Sequence, residues 1–331
     1  MKAIAQDRYG PAEVLGLRDV DVPTAGAGEV LVRVRAAGVD PGVWICMTGR
    51  PYLVRLAMGL RRPKVAVRGR DLAGVVAAVG AGVTRFRPGD EVYGTSLRGT
   101  FAEFTAAPQE RLALKPANLS FEQAAAVPVS GMTALQAVRD SGGVRAGHRV
   151  LVIGAGGGVG SYVVQLAKAY GAHVTAVCSA PKADLVRSLG ADDVIDYRRD
   201  GIDRGDARYD VVIDAGGDRP LSVLRRVLTP RGTLVLVGGA YDGSPLLGGY
   251  SRQMLRAPLL SLFVGQRLRG LTSRERAEHL DELRRLIESG AVTPAVDRTY
   301  PLAGALDAIR HLTRDRPAGK LVVAVTDEGP R

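Results

Sequence analysis

The segment Arg149–Lys168, RVLVIGAGGGVGSYVVQLAK, constrains the fold of this chain more than any other. An apolar strand runs into a glycine cluster, and the cluster opens a helix. A tight turn, close backbone approach to a pyrophosphate and close strand–helix packing each demand a small residue. The helix start then offers N–H groups and a positive dipole end to phosphate. The best register is Ala155-x-Gly157-x-x-Gly160, with alanine where the strict fingerprint has its first glycine. A glycine-rich turn can be purely structural, but this one lies in a series of short apolar runs alternating with helical stretches. Strands are expected at 149–153, 174–178, 193–196, 211–214 and 233–237, and helices at 160–170, 182–189 and 221–228. That alternation predicts an α/β, doubly wound parallel sheet with a dinucleotide at the turn.

Cofactor choice is read about 20 residues further on, where an acidic residue at the end of the second strand would bind the ribose hydroxyls of NAD. This chain has Val177-Cys178-Ser179-Ala180-Pro181-Lys182 there. No carboxylate opposes a 2′-phosphate; Ser179 offers a hydroxyl and Lys182 a point charge. The expected cofactor is NADP(H).

The flanks read differently. Residues 1–120 hold short strands separated by Gly and Pro, such as the alternating Glu29–Ala37 and the run Asp71–Val79, and suggest a β-rich, barrel-like unit. Near the C-terminus an amphipathic helix is expected over 273–289. Thr272 and Glu275 are its capping box, Gly290 its stop, and Ala277, Leu280, Leu283 and Ile287 its apolar face. A short helix and a strand, Leu321–Val325, follow. The expected boundaries are therefore 1–120, 121–265 and 266–331.

Composition excludes several function classes. Cys46 and Cys178 cannot make a disulfide framework, and the four histidines (148, 173, 279, 311) have no metal-ligand spacing. No signal-peptide core and no spanning apolar run is present, so a cytoplasmic protein without a membrane partner is expected. The net charge of +11 raises nucleic acid as a partner. However, the excess is spread over all three segments. Its densest run, Arg50–Arg70, has seven cations and no acid but lacks the interleaved aromatics of a stacking platform. No nucleic-acid partner is expected. The run is read as solvated surface or as a cationic mouth that attracts NADPH or an anionic substrate.

Several ordered motifs resemble the medium-chain dehydrogenase/reductase superfamily in its zinc-independent, quinone-oxidoreductase-like branch. They are Arg35–Pro41 (RAAGVDP), Gly69–Gly80 (GRDLAGVVAAVG), Arg87–Gly94 (RPGDEVYG), Ala126–Ala134 (AVPVSGMTA), Gly147–Lys168, Leu189–Tyr197 (LGADDVIDY) and Asp214–Gly217 (DAGG). The resemblance implies a discontinuous GroES-like β-barrel catalytic domain built from both chain ends, with a Rossmann cofactor domain inserted (121–265). It also implies a homodimer built by edge pairing of the Rossmann sheets. The zinc branch has a cysteine where Asp40 stands and a histidine where Arg70 stands, and the four-cysteine lobe expected near 90–115 is absent, so no metal is expected.

By motif position, Ala155, Gly157, Gly158, Val159 and Gly160 are expected at the pyrophosphate. Ser179, Lys182 and Tyr197 fall around the 2′-phosphate and ribose. Thr133, Ala215, Gly238 and Gly239 are expected around the nicotinamide, and Lys320 as a further cofactor contact. Asp40, Trp44 and Tyr52 fall on loops that face the nicotinamide in relatives. Tyr52 is the expected oxygen-side hydrogen-bond donor; Asp40 is read as catalytic or as a structural acceptor from loop backbone. The implied activity is hydride transfer from NADPH to a quinone or an activated C=C, where charge building on a carbonyl oxygen rewards a nearby donor. The alternatives are a zinc-free NADP-dependent alcohol/carbonyl oxidoreductase and an enoyl-thioester reductase.

Overall fold

The computed structural model describes residues 1–204, 206–217, 219–238 and 249–325. The chain divides into two units: residues 1–132, 275–289 and 294–331, and residues 133–274 with 290–293.

In the first unit, strands β1 (Lys2–Ala5) and β2 (Gly16–Asp19) form an antiparallel pair. A larger sheet contains β3 (Glu29–Val39), β4 (Asp71–Val79), β5 (Glu91–Thr95), β6 (Phe104–Pro108), β7 (Leu112–Leu114), β14 (Val296–Pro301) and β15 (Lys320–Ala324). Its order is β14-β15-β3-β4-β5-β7, with β6 also on β3. The eleven-residue β3 makes this possible. Its first half pairs with β6, its last residues with β15, and its register slips twice against β4. Such irregularities bend a strand and increase its twist, which lets one strand serve three neighbours. Val30, Val32, Leu72, Val92 and Leu112 fill the core on one part of this sheet; Val34, Val39, Leu321 and Val323 fill the other. Helices α1 (Pro41–Thr48), α2 (Arg55–Met58) and α3 (Phe121–Ala125) belong to this unit, as do α9 (Ala277–Glu288) and α10 (Ala305–Arg314). Helix α4 (Pro128–Leu135) starts in it and ends in the second.

Among the described residues the second unit holds six strands: β8 (Arg149–Ile153), β9 (His173–Cys178), β10 (Asp193–Asp196), β11 (Tyr209–Asp214), β12 (Leu228–Leu236) and β13 (Arg267–Gly270). Every pairing is parallel and the order is β10-β9-β8-β11-β12-β13. This is the doubly wound order, whose direction of growth reverses between β8 and β11. Helices α5 (Gly158–Ala169), α6 (Ala183–Ser188), α7 (Leu221–Arg226) and α8 (Gly249–Ser261) connect the strands. Leu151, Ile153, Val177, Val212, Leu234 and Leu236 form the core, and strands covered on both faces explain the uninterrupted apolar runs.

Two expectations shift. The unit boundaries fall at 132/133 and 274/275, not 120/121 and 265/266. Helix α3 packs on β3 and β4, and β13 pairs with β12, so each joins the sheet it touches. The helix expected from Ser273 begins at Ala277, with Arg276 at the N-cap and no side-chain cap. Glu275 is not its capping-box partner: the carboxylate binds Arg70, accepts from Arg111 at 2.6 Å and from Thr95 Oγ1 at 3.0 Å. Two guanidinium groups outweigh one backbone N–H as partners for a carboxylate.

Candidate functional site

The first group of residues lies at the C-terminal ends of the parallel strands. Gly154, directly after β8, has φ +77°, and a Cβ there would stand 3.1 Å from Gly216 N. Its N–H and that of Ala155 both donate to Val177 O at 3.1 Å. The left-handed position is therefore Gly154, and Ala155 is fully buried beside it. The alanine of the fingerprint falls where no glycine conformation is needed. Gly157 is the N-cap of α5, and a Cβ on Gly160 would stand 2.1 Å from Gly154 O. Only glycine at 160 lets the helix start pack this closely on the turn. Gly158 and Val159 form the first turn of α5, which presents its N–H groups beyond the strand ends. The turn thus fits a pyrophosphate.

The residues expected around the 2′-phosphate lie near one another. The Lys182 side chain lies against the loop, so that a Cβ on Gly156 would meet Lys182 Cδ at 2.7 Å. Ser179 follows β9, half-buried, and its hydroxyl caps no helix. Tyr197 N donates to Cys178 O at 3.2 Å, which brings the end of β10 beside Ser179; the ring is 37% exposed. Arg198, whose guanidinium carbon lies 6.0 Å from the Tyr197 ring centroid, adds a cation that the motif reading missed. Asp196 is the nearby acid, and its Oδ1 accepts from Arg198 N at 3.1 Å.

On the other side of the switch point, Asp214 ends β11 fully buried. Its Oδ1 accepts from Gly216 N and Gly217 N, both at 2.9 Å, and so shapes the turn that carries Ala215. Ala215 N donates to Ile153 O at 3.0 Å, and a Cβ on Gly238 would meet Ala215 O at 3.7 Å. Gly154, Ala215 and Gly238 thus stand at the ends of three successive strands. Gly239 lies outside the described residues. Thr133 is half-buried on α4.

The first unit holds the remaining residues. Asp40 caps α1: its Oδ1 accepts from Gly42 N at 2.6 Å, while Oδ2 is buried without a hydrogen-bond partner among the described residues. Trp44 packs against the apolar core. Tyr52 is 41% exposed, with Arg55 and Arg50 at 4.6 and 5.9 Å from its ring; its hydroxyl makes no hydrogen bond among the described residues. Lys320 has a partner that its motif position did not indicate. Its ammonium is 3.0 Å from Asp71 Oδ2, and the two side chains are 2% and 0% exposed, so the residue expected at the cofactor is also a buried ion-pair partner. Burial pushes the Asp71 carboxyl up to about 6; Lys320 pulls the other way and the Asp40 carboxylate adds to the rise. Among the described residues no three His, Cys, Asp or Glu side chains converge as a metal site.

The comparisons with known proteins agree with this geometry. Residues 26–117 match the alcohol dehydrogenase GroES-like domain and residues 189–323 match the zinc-binding dehydrogenase family. The chain is 37% identical to the NADPH-dependent alkenal/one oxidoreductase, chloroplastic, of Arabidopsis thaliana, over 98% of this chain and 79% of that protein. It is 33% identical to a chloroplast envelope quinone oxidoreductase homolog of the same plant, over 98% of both.

The chain belongs to the medium-chain dehydrogenase/reductase superfamily, in its quinone-oxidoreductase-like branch. The quinone oxidoreductase of Coxiella burnetii superimposes with a TM-score of 0.85 at 28% identity, covering 98% of this chain and 99% of that one. The β-rich unit of this medium-chain reductase is thus its GroES-like domain, and the parallel-sheet unit its Rossmann domain. At the positions where the zinc branch has cysteine and histidine, this chain has Asp40 and Arg70, and Arg70 is bound to Glu275.

Proposed function

We propose that this medium-chain reductase transfers hydride from NADPH to a quinone or an activated C=C. The observation that carries the cofactor choice is the group Ser179, Lys182 and Tyr197 on adjacent strand ends beside the glycine turn, with no carboxylate at the end of β9. A bound nicotinamide would supply the hydride. Gly157–Gly160 hold the pyrophosphate with helix-start N–H groups. Lys182 and Ser179 meet the 2′-phosphate, and Tyr197 stands beside them. Ala215 and Gly238 leave room at the strand ends for the nicotinamide ribose, with Thr133 as a further contact. Tyr52 keeps its hydroxyl free to donate to a substrate oxygen, where negative charge builds as the β-carbon of an enone accepts hydride. The two relatives named for quinones and for alkenals support a conjugated electrophile.

The test is NADPH and NADH consumption over quinones, enones, enoyl thioesters and aldehydes, with metal analysis of the same sample. NADPH-driven turnover of quinones or enones is expected. Preference for NADH, or turnover of saturated aldehydes alone, overturns the proposal.

A further inference from the structure

We infer that the segment Leu53–Val65 docks this protein onto an anionic lipid surface. The 3-10 turn Tyr52–Val54 runs straight into α2, and Gly59 ends it. Leu53, Leu56 and Leu60 are 53%, 70% and 67% exposed, while Leu72 and Leu112 of the same unit are wholly buried. Leu53 and Leu56 are one helical turn apart, so they share a face.

The segment is fixed from beneath. Tyr9 Oη donates to Gly59 O at 2.8 Å, Lys64 N donates to Met58 O at 2.8 Å, and Arg55 donates to Gly49 O at 3.0 Å while stacking on Tyr9 at 4.4 Å. The leucines are therefore held in water by a built scaffold.

Charge identifies the occupant. Arg50, Arg61, Arg62 and Lys64 are exposed, and none has a carboxylate partner among the described residues. No acid occurs between Arg50 and Arg70. Leucines at the headgroup–acyl boundary with unpaired cations at phosphate level are the composition of an interfacial membrane contact. A nucleic acid would leave the leucines uncovered, and a neutral apolar partner would leave the cations unpaired. Among the described residues no helix is long and apolar enough to cross a membrane; a peripheral contact needs none.

The experiment is sedimentation of the full chain with vesicles of phosphatidylcholine alone and of phosphatidylcholine with about one-third phosphatidylglycerol. Wild type should partition onto the anionic vesicles at least roughly tenfold more strongly, and salt should weaken the binding. Leu53→Ser/Leu56→Ser/Leu60→Ser and Arg61→Glu/Arg62→Glu should each lose roughly tenfold. Leu97→Ser, also exposed, and the charge-matched Arg145→Glu/Arg231→Glu in the other unit should bind like wild type. Equal loss in the charge-matched control means that binding follows net charge alone and overturns the inference. So does wild type that ignores anionic vesicles. So does a leucine variant that binds vesicles normally but loses self-association in sedimentation velocity, which would assign the face to a second copy.

Discussion

Lys320 and Asp71, 249 residues apart in sequence, meet at 3.0 Å in the first unit, almost wholly out of water. Asp71 Oδ1 also accepts from Val129 N at 2.9 Å, so one carboxylate joins β4, β15 and the first turn of α4. Removing Lys320 leaves the Asp71 carboxyl buried without the cation that offsets its desolvation. Lys320→Met should therefore lower stability by about 3–5 kcal/mol in denaturant unfolding. NADPH affinity should change less than about twofold if the ammonium makes no cofactor contact.

The same pair predicts a pH trend. The Asp71 carboxyl titrates at about 6, above its ordinary value near 3.8. A raised folded value gives stability that is complete below the unfolded pKa and is lost as pH rises through the folded one. Without Lys320 the carboxyl rises further. The stability gap between wild type and Lys320→Met should thus widen from about pH 5 to about pH 8. A constant gap would show that Asp71 is not the group left unpaired.

At the glycine turn the prediction is an asymmetry. Gly160→Ala sets a Cβ 2.1 Å from Gly154 O and should weaken NADPH binding at least roughly tenfold by fluorescence titration. Ala155→Gly restores the strict fingerprint at a position that needs no glycine, and should change affinity less than about threefold.

If the Lys182 ammonium meets the 2′-phosphate as proposed, Lys182→Ala should raise KM for NADPH at least roughly tenfold while leaving KM for NADH, which lacks that group, nearly unchanged. Arg198→Ala should shift the same ratio in the same direction by a smaller factor. Steady-state kinetics with both cofactors decide both.

Tyr52→Phe removes one hydroxyl and keeps the ring between Arg50 and Arg55. A loss under about threefold in kcat/KM, below ~0.7 kcal/mol, would remove the hydroxyl from the chemistry. Thr272→Ala should shift stability by less than about 0.5 kcal/mol, where a real capping box would cost about 1. Glu275→Ala should be the larger loss, since it strands Arg70 and Arg111 together.

The chain's own sequence determined the parallel sheet and the place of its phosphate turn. Strands covered on both faces must be continuously apolar, and a turn between strand and helix must be small, so Arg149–Ile153 and Gly154–Gly160 are legible locally. It also exposed Ser179 and Lys182, because the second strand's end follows the turn at a fixed distance. Which residue of the turn takes the left-handed conformation was not legible: Gly154 and Ala155 both donate to Val177 O at 3.1 Å, and only the backbone φ of +77° at Gly154 distinguishes them. The tertiary structure alone decided the long-range pairings. Glu275 reads as a capping residue until Arg70, 205 positions away, is brought to it, and nothing around Lys320 shows that Asp71, 249 positions away, is its partner. Local patterns report what a residue does to its own turn or helix. A charge finds its partner only when folding removes the water that would otherwise satisfy it.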